Sequence, residues 1–352
     1  MKKLSYLFGV VLFAAAFTSC SIEDNSISGN SGNTETPETP QIKNGDDLKA
    51  AIEQYATVIN GVPTLTLPKG FSVTLNEAVE LNAPLTIVGE LSGPAHVTVG
   101  ENGKFVTTSG IKLENLVIDA SAQTEPLVTL GVEAPEEWTF SSLTFSNLNI
   151  TGLKKALTYA ACKNYDVCSV VENCDIQVAA DVTVFDYTKG SVAIIFNINN
   201  TTIWAPEATG KALYSSQGGQ KATEVAEGTL QQFDIENSTF YNLTKSKNFF
   251  SHRQSNQTWL EYTVKNNIFV NCGKSGQTIK GLNGGQGGKN PVWAIDGNVF
   301  NFEGVDTSAD ETTGDDAEPI TNSIAVVVNF ADAANGDFTQ SDAKAGDPIW
   351  IK

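Results

Sequence analysis

The chain has few groups with which to hold a polyanion: a single arginine, Arg253, and 22 Lys and Arg in total against 40 Asp and Glu. Its formal charge is −18, and −20 once Lys2 and Lys3 leave with the N-terminal segment. No nucleic acid is expected as a partner, because affinity for phosphate depends on Lys and Arg neutralising it. Long apolar runs are also missing. The longest spans residues 4–17, follows Lys2 and Lys3, and ends at Thr18, Ser19 and Cys20. A membrane-spanning helix needs about 20 apolar residues, so this stretch has the form of a signal peptide over residues 1–19 rather than a span. Apart from Cys20 the cysteines are Cys162, Cys168, Cys174 and Cys272, whose spacing is not that of a zinc site, and no metal is expected. In an oxidising compartment they allow three disulfide pairings or buried free thiols, and the spacing does not choose between them.

Sustained 3.6-residue periodicity is absent too, which excludes arrays of helical repeats. What recurs instead is a six-residue pattern: LENLVI from Leu113, FSNLNI from Phe145, VENCDI from Val171, INNTTI from Ile198, IENSTF from Ile235, VKNNIF from Val264 and IDGNVF from Ile295. The starts lie 32, 26, 27, 37, 29 and 31 residues apart, the signature of a stacked array. A leucine-rich frame and the Gly-His and Trp-Asp marks of propeller blades are missing. The third position holds Asn115, Asn147, Asn173, Asn200, Asn237, Asn266 and then Gly297. Asn and Gly enter the left-handed backbone region most readily, as a one-residue corner between two strands requires. Stacked corner asparagines are further expected to exchange amide hydrogen bonds from coil to coil.

Between these segments lie the short runs KALTYAA, TVFDYTK, KALYSSQ and NFFSHRQ, which read as additional strands. The expectation is an all-β, right-handed parallel β-helix with three strands per coil, since parallel crossovers are overwhelmingly right-handed. A short N-terminal capping helix is expected over residues 45–55, capped by Asp46 or Asp47, with Leu48, Ala51, Ile52 and Tyr55 on its apolar face and TLTLPKG following as the first strand. Residues 42–110 would then form the cap helix and first coils, and residues 111–352 the body with a C-terminal cap.

Three resemblances add to this reading. FTSC resembles a bacterial lipobox, which implies diacylation of Cys20; Phe17 departs from the usual pattern. SIEDN, with Glu23 and Asp24, is similar to the acidic signal that sends Bacteroidetes lipoproteins to the cell surface, and residues 20–41 are polar enough to act as a flexible tether. The corners, third strand and N-terminal helix look like the pectate-lyase-like β-helix superfold. The ending VNFADAANGDFTQSDAKAGDPIW is similar to the NGDF…GDPRW ending of uncharacterised Bacteroidetes outer-membrane β-helix lipoproteins found with polysaccharide-uptake systems, with Ile349 in place of arginine. The resemblance implies a polysaccharide as ligand, a lipid anchor in the outer membrane, and association with a glycan-uptake complex.

In pectate-lyase-like enzymes the first sheet floors the sugar groove. Aligning its strands by their apolar residues places Leu157, Phe185, Leu213, Phe250 and Ile279 inward and Thr158, Asp186, Tyr214, Ser251 and Lys280 outward. A second outward column holds Ala160, Thr188, Ser216, Arg253 and Leu282, while Tyr159, Tyr187 and His252 fall inward. Eliminative cleavage of a uronate polymer needs a base and a neutralised carboxylate. The candidates are Arg253 as base, assisted by Lys280 and Asp186, with Ca2+ a possible cofactor only in that case and otherwise none. Binding without catalysis needs aromatic faces and hydroxyls, here Tyr214, Trp204, Trp259, Ser216 and Ser251. Trp350 is expected to close the C-terminal end. The glycine-rich segment 281–290 and the acidic segment 306–318 read as loops. Glycan capture is favoured, polysaccharide lyase is the alternative, and a purely structural or adhesive solenoid is the third reading.

Overall fold

A computed structural model describes residues 42–131, 133–137, 139–207, 211–216, 231–244, 249–252, 260–272, 292–301 and 324–352. All seven expected corners are left-handed: φ is 54° at Asn115, 52° at Asn147, 54° at Asn173, 47° at Asn200, 49° at Asn237, 55° at Asn266 and 64° at Gly297. A residue other than Gly or Asn loses about 1–2 kcal/mol in this region, which explains the choice at each position. At Asn115 and Asn147 one strand runs through the corner, Gly110–Asp119 and Thr139–Leu153. In later coils the corner separates two strands, as between Tyr165–Glu172 and Asp175–Val178 or between Val192–Asn199 and Thr202–Trp204.

Each strand pairs in parallel with its counterpart one coil on. Sheet one comprises Ala78–Leu81, Lys104–Thr107, Val128–Leu130, Thr158–Ala160, Phe185–Tyr187, Tyr214–Ser216 and Phe250–His252. Sheets two and three carry the strands before and after the corners, and are joined through the two long strands. The result is a parallel β-helix with three strands per coil. At its start, the helix Leu48–Tyr55 is capped by Asp47, whose side chain accepts from the Ala50 N–H at 3.1 Å, and buries Leu48 and Ala51. A short strand absent from the sequence reading, Thr57–Ile59, pairs antiparallel with Val62–Leu67 ahead of the first coil.

Inward side chains stack along the helix axis. Phe240, Phe269 and Phe300 stack with nearly parallel planes at successive centroid separations of 5.2 Å, and Phe196, Phe233 and Tyr262 form a second, tilted column. Each such ring contributes about 1.5–3 kcal/mol by leaving water. The polar ladder differs from expectation. Corner amides do bond one another from Asn200 to Asn173 at 3.3 Å and from Asn266 to Asn237 at 3.4 Å, but Asn115 reaches the Gly89 and Glu90 carbonyls and Asn147 turns to Ser146. The continuous ladder lies one residue later and is buried. There the N–H of Cys174 donates to Thr201 Oγ1, that of Thr201 to Ser238 Oγ, that of Ser238 to Asn267 Oδ1 and that of Asn267 to Asn298 Oδ1, at 2.9–3.2 Å. A left-handed corner turns the following N–H along the stack, and a short polar side chain from the next coil satisfies it.

The C-terminal residues do not close the end of the helix, as Trp350 was expected to do, but lie along its flank. Phe338 is fully buried, with Trp204, Tyr241, Phe330 and Trp350 at centroid distances of 5.6, 5.5, 5.2 and 6.0 Å. Beside it Val328, Ala343 and Ala345 form a small second core with Ile268, Val270 and Val299. The reason lies in sheet three, whose outward positions on these coils include Trp204, Tyr241, Ile268, Val270 and Val299 and would otherwise form an exposed patch. The four cysteines outside the N-terminal segment are free thiols, and burial pushes those of Cys174 and Cys272 up to about 12.

Replacement at Asn147 tests the corner. Asn147→Gly should stay within about 0.5 kcal/mol of the parent, whereas Asn147→Val should lose about 1–3 kcal/mol, read as a shift of the denaturant midpoint.

Candidate functional site

The backbone register of sheet one fixes which side chains face its groove. Val128, Thr158, Phe185, Tyr214 and Phe250 share one inward column, and Thr129, Tyr159, Asp186, Ser215 and Ser251 share the outward one. Asp186 and Ser251 therefore sit on the groove face as expected. Tyr214 and Thr158 do not. Tyr214 is completely buried, its hydroxyl accepts from the Ala193 N–H at 3.2 Å, and burial pushes its phenol up to about 12. Ser216 is also inward and buried, level with Tyr187 and His252, and Ala160 lies in the same column. The expected inward position of Tyr159 is likewise reversed, because it faces out beside Asp186.

The error has a physical source. Each of the last five strands of this sheet is entered through two consecutive buried residues, the first in the turn and the second in the strand: Leu127-Val128, Leu157-Thr158, Val184-Phe185, Leu213-Tyr214 and Phe249-Phe250. Where two adjacent positions are buried, apolar identity no longer reports which one points inward.

Trp204 belongs to sheet three, not the groove. It is covered by the C-terminal residues, and its Nε1–H donates to Asp175 Oδ1 at 2.9 Å. Arg253, Trp259, Lys280 and Cys20 lie outside the described residues, as do segments 281–290 and 306–318. Of the three groups proposed for elimination, Asp186 is the one the structure places; its Oδ1 accepts from the Thr188 N–H at 3.0 Å.

Over the outward face lies an open concavity of about 270 Å3, lined by Tyr159 and Asp186 from the strands and by Lys154, Lys155, Asp181 and Lys211 from the turns that lead into them. Three lysines thus face two carboxylates in a chain whose overall charge is strongly negative. Among the described residues neither Lys154 nor Lys155 is in an ion pair; the pairs seen are Lys49 with Glu77, Lys104 with Glu125 and Lys112 with Glu114. The Tyr159 phenol is held above its usual range by burial first, and then by the charges of Asp186 and Cys162. A phenol so raised keeps its proton near neutral pH, so it serves as an uncharged hydrogen-bonding group rather than as a base, with a half-buried ring face beside it. The sequence reading missed the lysines because they sit in turns of unequal length, outside the repeat. Only their position just before each sheet-one strand could have flagged them.

A second concavity, of about 240 Å3, lies at the corners and is lined by Asn115, Asn147, Asn173, Val117, Asp175 and Ile349. It lacks the aromatic and cationic groups of the first.

Residues 72–206 match the family described as Domain of unknown function (DUF4957). The match runs from the Ser72–Leu75 strand to just beyond Trp204 and includes Tyr159, Asp186, Lys154 and Lys155. Among curated proteins none matches the chain. No helix among the described residues is long and apolar enough to cross a membrane.

Substitutions should separate the buried from the groove-facing residues. Tyr214→Ala should lower stability by about 3–5 kcal/mol, as truncation of a buried aromatic does, while Asp186→Ala should change it by less than about 1 kcal/mol in the same denaturant titration.

Proposed function

We propose that the protein binds a polysaccharide along the outward face of sheet one, in glycan capture rather than cleavage, as a lipoprotein of the outer membrane exposed at the cell surface. The observation that carries this reading is the concavity at Tyr159 and Asp186. Sugar rings present C–H faces that stack on an aromatic ring and hydroxyls that donate to carboxylates, and Tyr159 and Asp186 supply both on adjacent coils. Lys154 and Lys155 add donors to ring substituents, including acidic ones. An extended groove on a rigid stack suits a chain of repeating sugars, because successive coils rise by about 4.8 Å without further ordering of the protein. The anchor rests on Cys20 and the signal-like segment before it.

Binding should be measured with the purified chain lacking residues 1–20 on an array of plant and host polysaccharides, followed by calorimetry. Tyr159→Ala, and Lys154→Gln combined with Lys155→Gln, should each weaken binding by about tenfold or more, in line with the loss of 1.4 kcal/mol or more of contact. Folded protein that binds nothing on the array, or binding indifferent to both variants, would remove the reading. For the anchor, cells fed labelled palmitate should label the parent chain but not Cys20→Ser.

A further inference from the structure

We infer that the C-terminal residues 337–352 form a pH-responsive clasp, gripping sheet three most firmly in acidic solution and loosening as the solution approaches neutrality. Two carboxylates meet in the seam between clasp and sheet. Asp347, from the clasp, has no exposed surface; its Oδ2 accepts from Thr202 Oγ1 at 2.8 Å and its Oδ1 from the Ile349 N–H at 3.2 Å. Its own N–H donates to Thr239 Oγ1 at 3.0 Å, and Trp350 Nε1–H donates to Thr202 Oγ1 at 2.8 Å. Asp175, from the sheet, pairs in register with that same Thr202, one coil earlier, and its Oδ1 accepts from Trp204 Nε1–H. Ile349 of the clasp and Asp175 line one concavity, so lifting the clasp opens Asp175 to water.

Among the described residues no cation acts on either carboxyl, although the clasp carries Lys344 and Lys352. Sheet three presents Asn149, Gln177 and Tyr241 on its outward face, Glu172 lies across the corner, and Cys174 points inward with a thiol raised by burial. On the clasp, the charge of Lys352 acts on Asp337, and the nearby Asp342 accepts from the Asn329 N–H. Burial pushes the Asp175 carboxyl up to about 6, with the Asp347 charge adding to the rise, and burial also raises Asp347. The sign follows from proton linkage. A carboxylate raised in the clasped state binds a proton that the released state would not hold, so closure gains stability as pH falls through about 6 toward the ordinary aspartate value near 4, and loses it as pH rises through about 6.

The test is hydrogen exchange of the full chain at pH 4.5, 5.5 and 7.5, corrected for the intrinsic rate, comparing peptides of residues 337–352 with those of Gly110–Asp119. Protection of the clasp should fall by about 10- to 100-fold between pH 4.5 and 7.5 while that of the reference strand stays level. Asp175→Asn keeps an acceptor for Trp204 and removes the charge; Asp347→Asn does the same for Thr202. Each should flatten the pH dependence at least severalfold. Protection of the parent clasp that is level across this range overturns the inference, and so does full pH dependence surviving in both variants.

Discussion

A chain that turns a corner between two strands within one residue leaves its next N–H aimed along the stack, where no water can reach it. An unpaired buried N–H costs about 1–3 kcal/mol, and the corner recurs in seven segments, so it must be answered in every coil. For the corners from Asn173 to Asn266 the answer is the buried series Thr201, Ser238, Asn267 and Asn298, each accepting from the coil before. Once that series is in place the coils are locked in vertical register, and the stacking of Phe240, Phe269 and Phe300 follows from it. Register propagates in turn to sheet one, where it sets Tyr159 and Asp186 side by side.

The groove is therefore a product of the corner at some distance. Its floor is rigid because it is hydrogen-bonded on both sides, while its chemistry comes from turns that the stack leaves free to vary in length and composition. Lys154, Lys155, Asp181 and Lys211 all occupy such turns. This division lets a uniform scaffold carry a local concentration of positive charge within an acidic chain.

Fold was legible in the sequence wherever a backbone requirement had one cheap chemical solution. The left-handed corner admits Asn or Gly, and the seven positions could be read directly, down to Gly297. The groove was legible only in part, since side-chain direction in sheet one depends on a single residue of register, and paired buried residues at each strand entry erase the alternation that would report it. Asp186 survived this ambiguity because a charged residue between the buried Phe185 and Tyr187 has one comfortable orientation. Tyr214 did not, since a tyrosine tolerates either face when its hydroxyl finds a partner, as it does at Ala193. The flank covering by Phe338 and Trp350 lay beyond any local pattern, because Trp204 and Thr202, which they meet on sheet three, are more than 100 residues away in the chain.

In a stack whose coils touch only their neighbours, the last coils can in principle peel away one at a time, each loss exposing the next. The covering of sheet three alters that. Trp350 is bonded to Thr202, and Gly346 to the Asn266 carbonyl at 2.7 Å, so the final residues of the chain are fastened across coils that precede them. To fray from its C-terminal end the helix would first have to give up contacts made near its middle. Melting of that half is thereby converted from a zipper into a single cooperative event, and assembly is delayed until synthesis has delivered the residues that complete it.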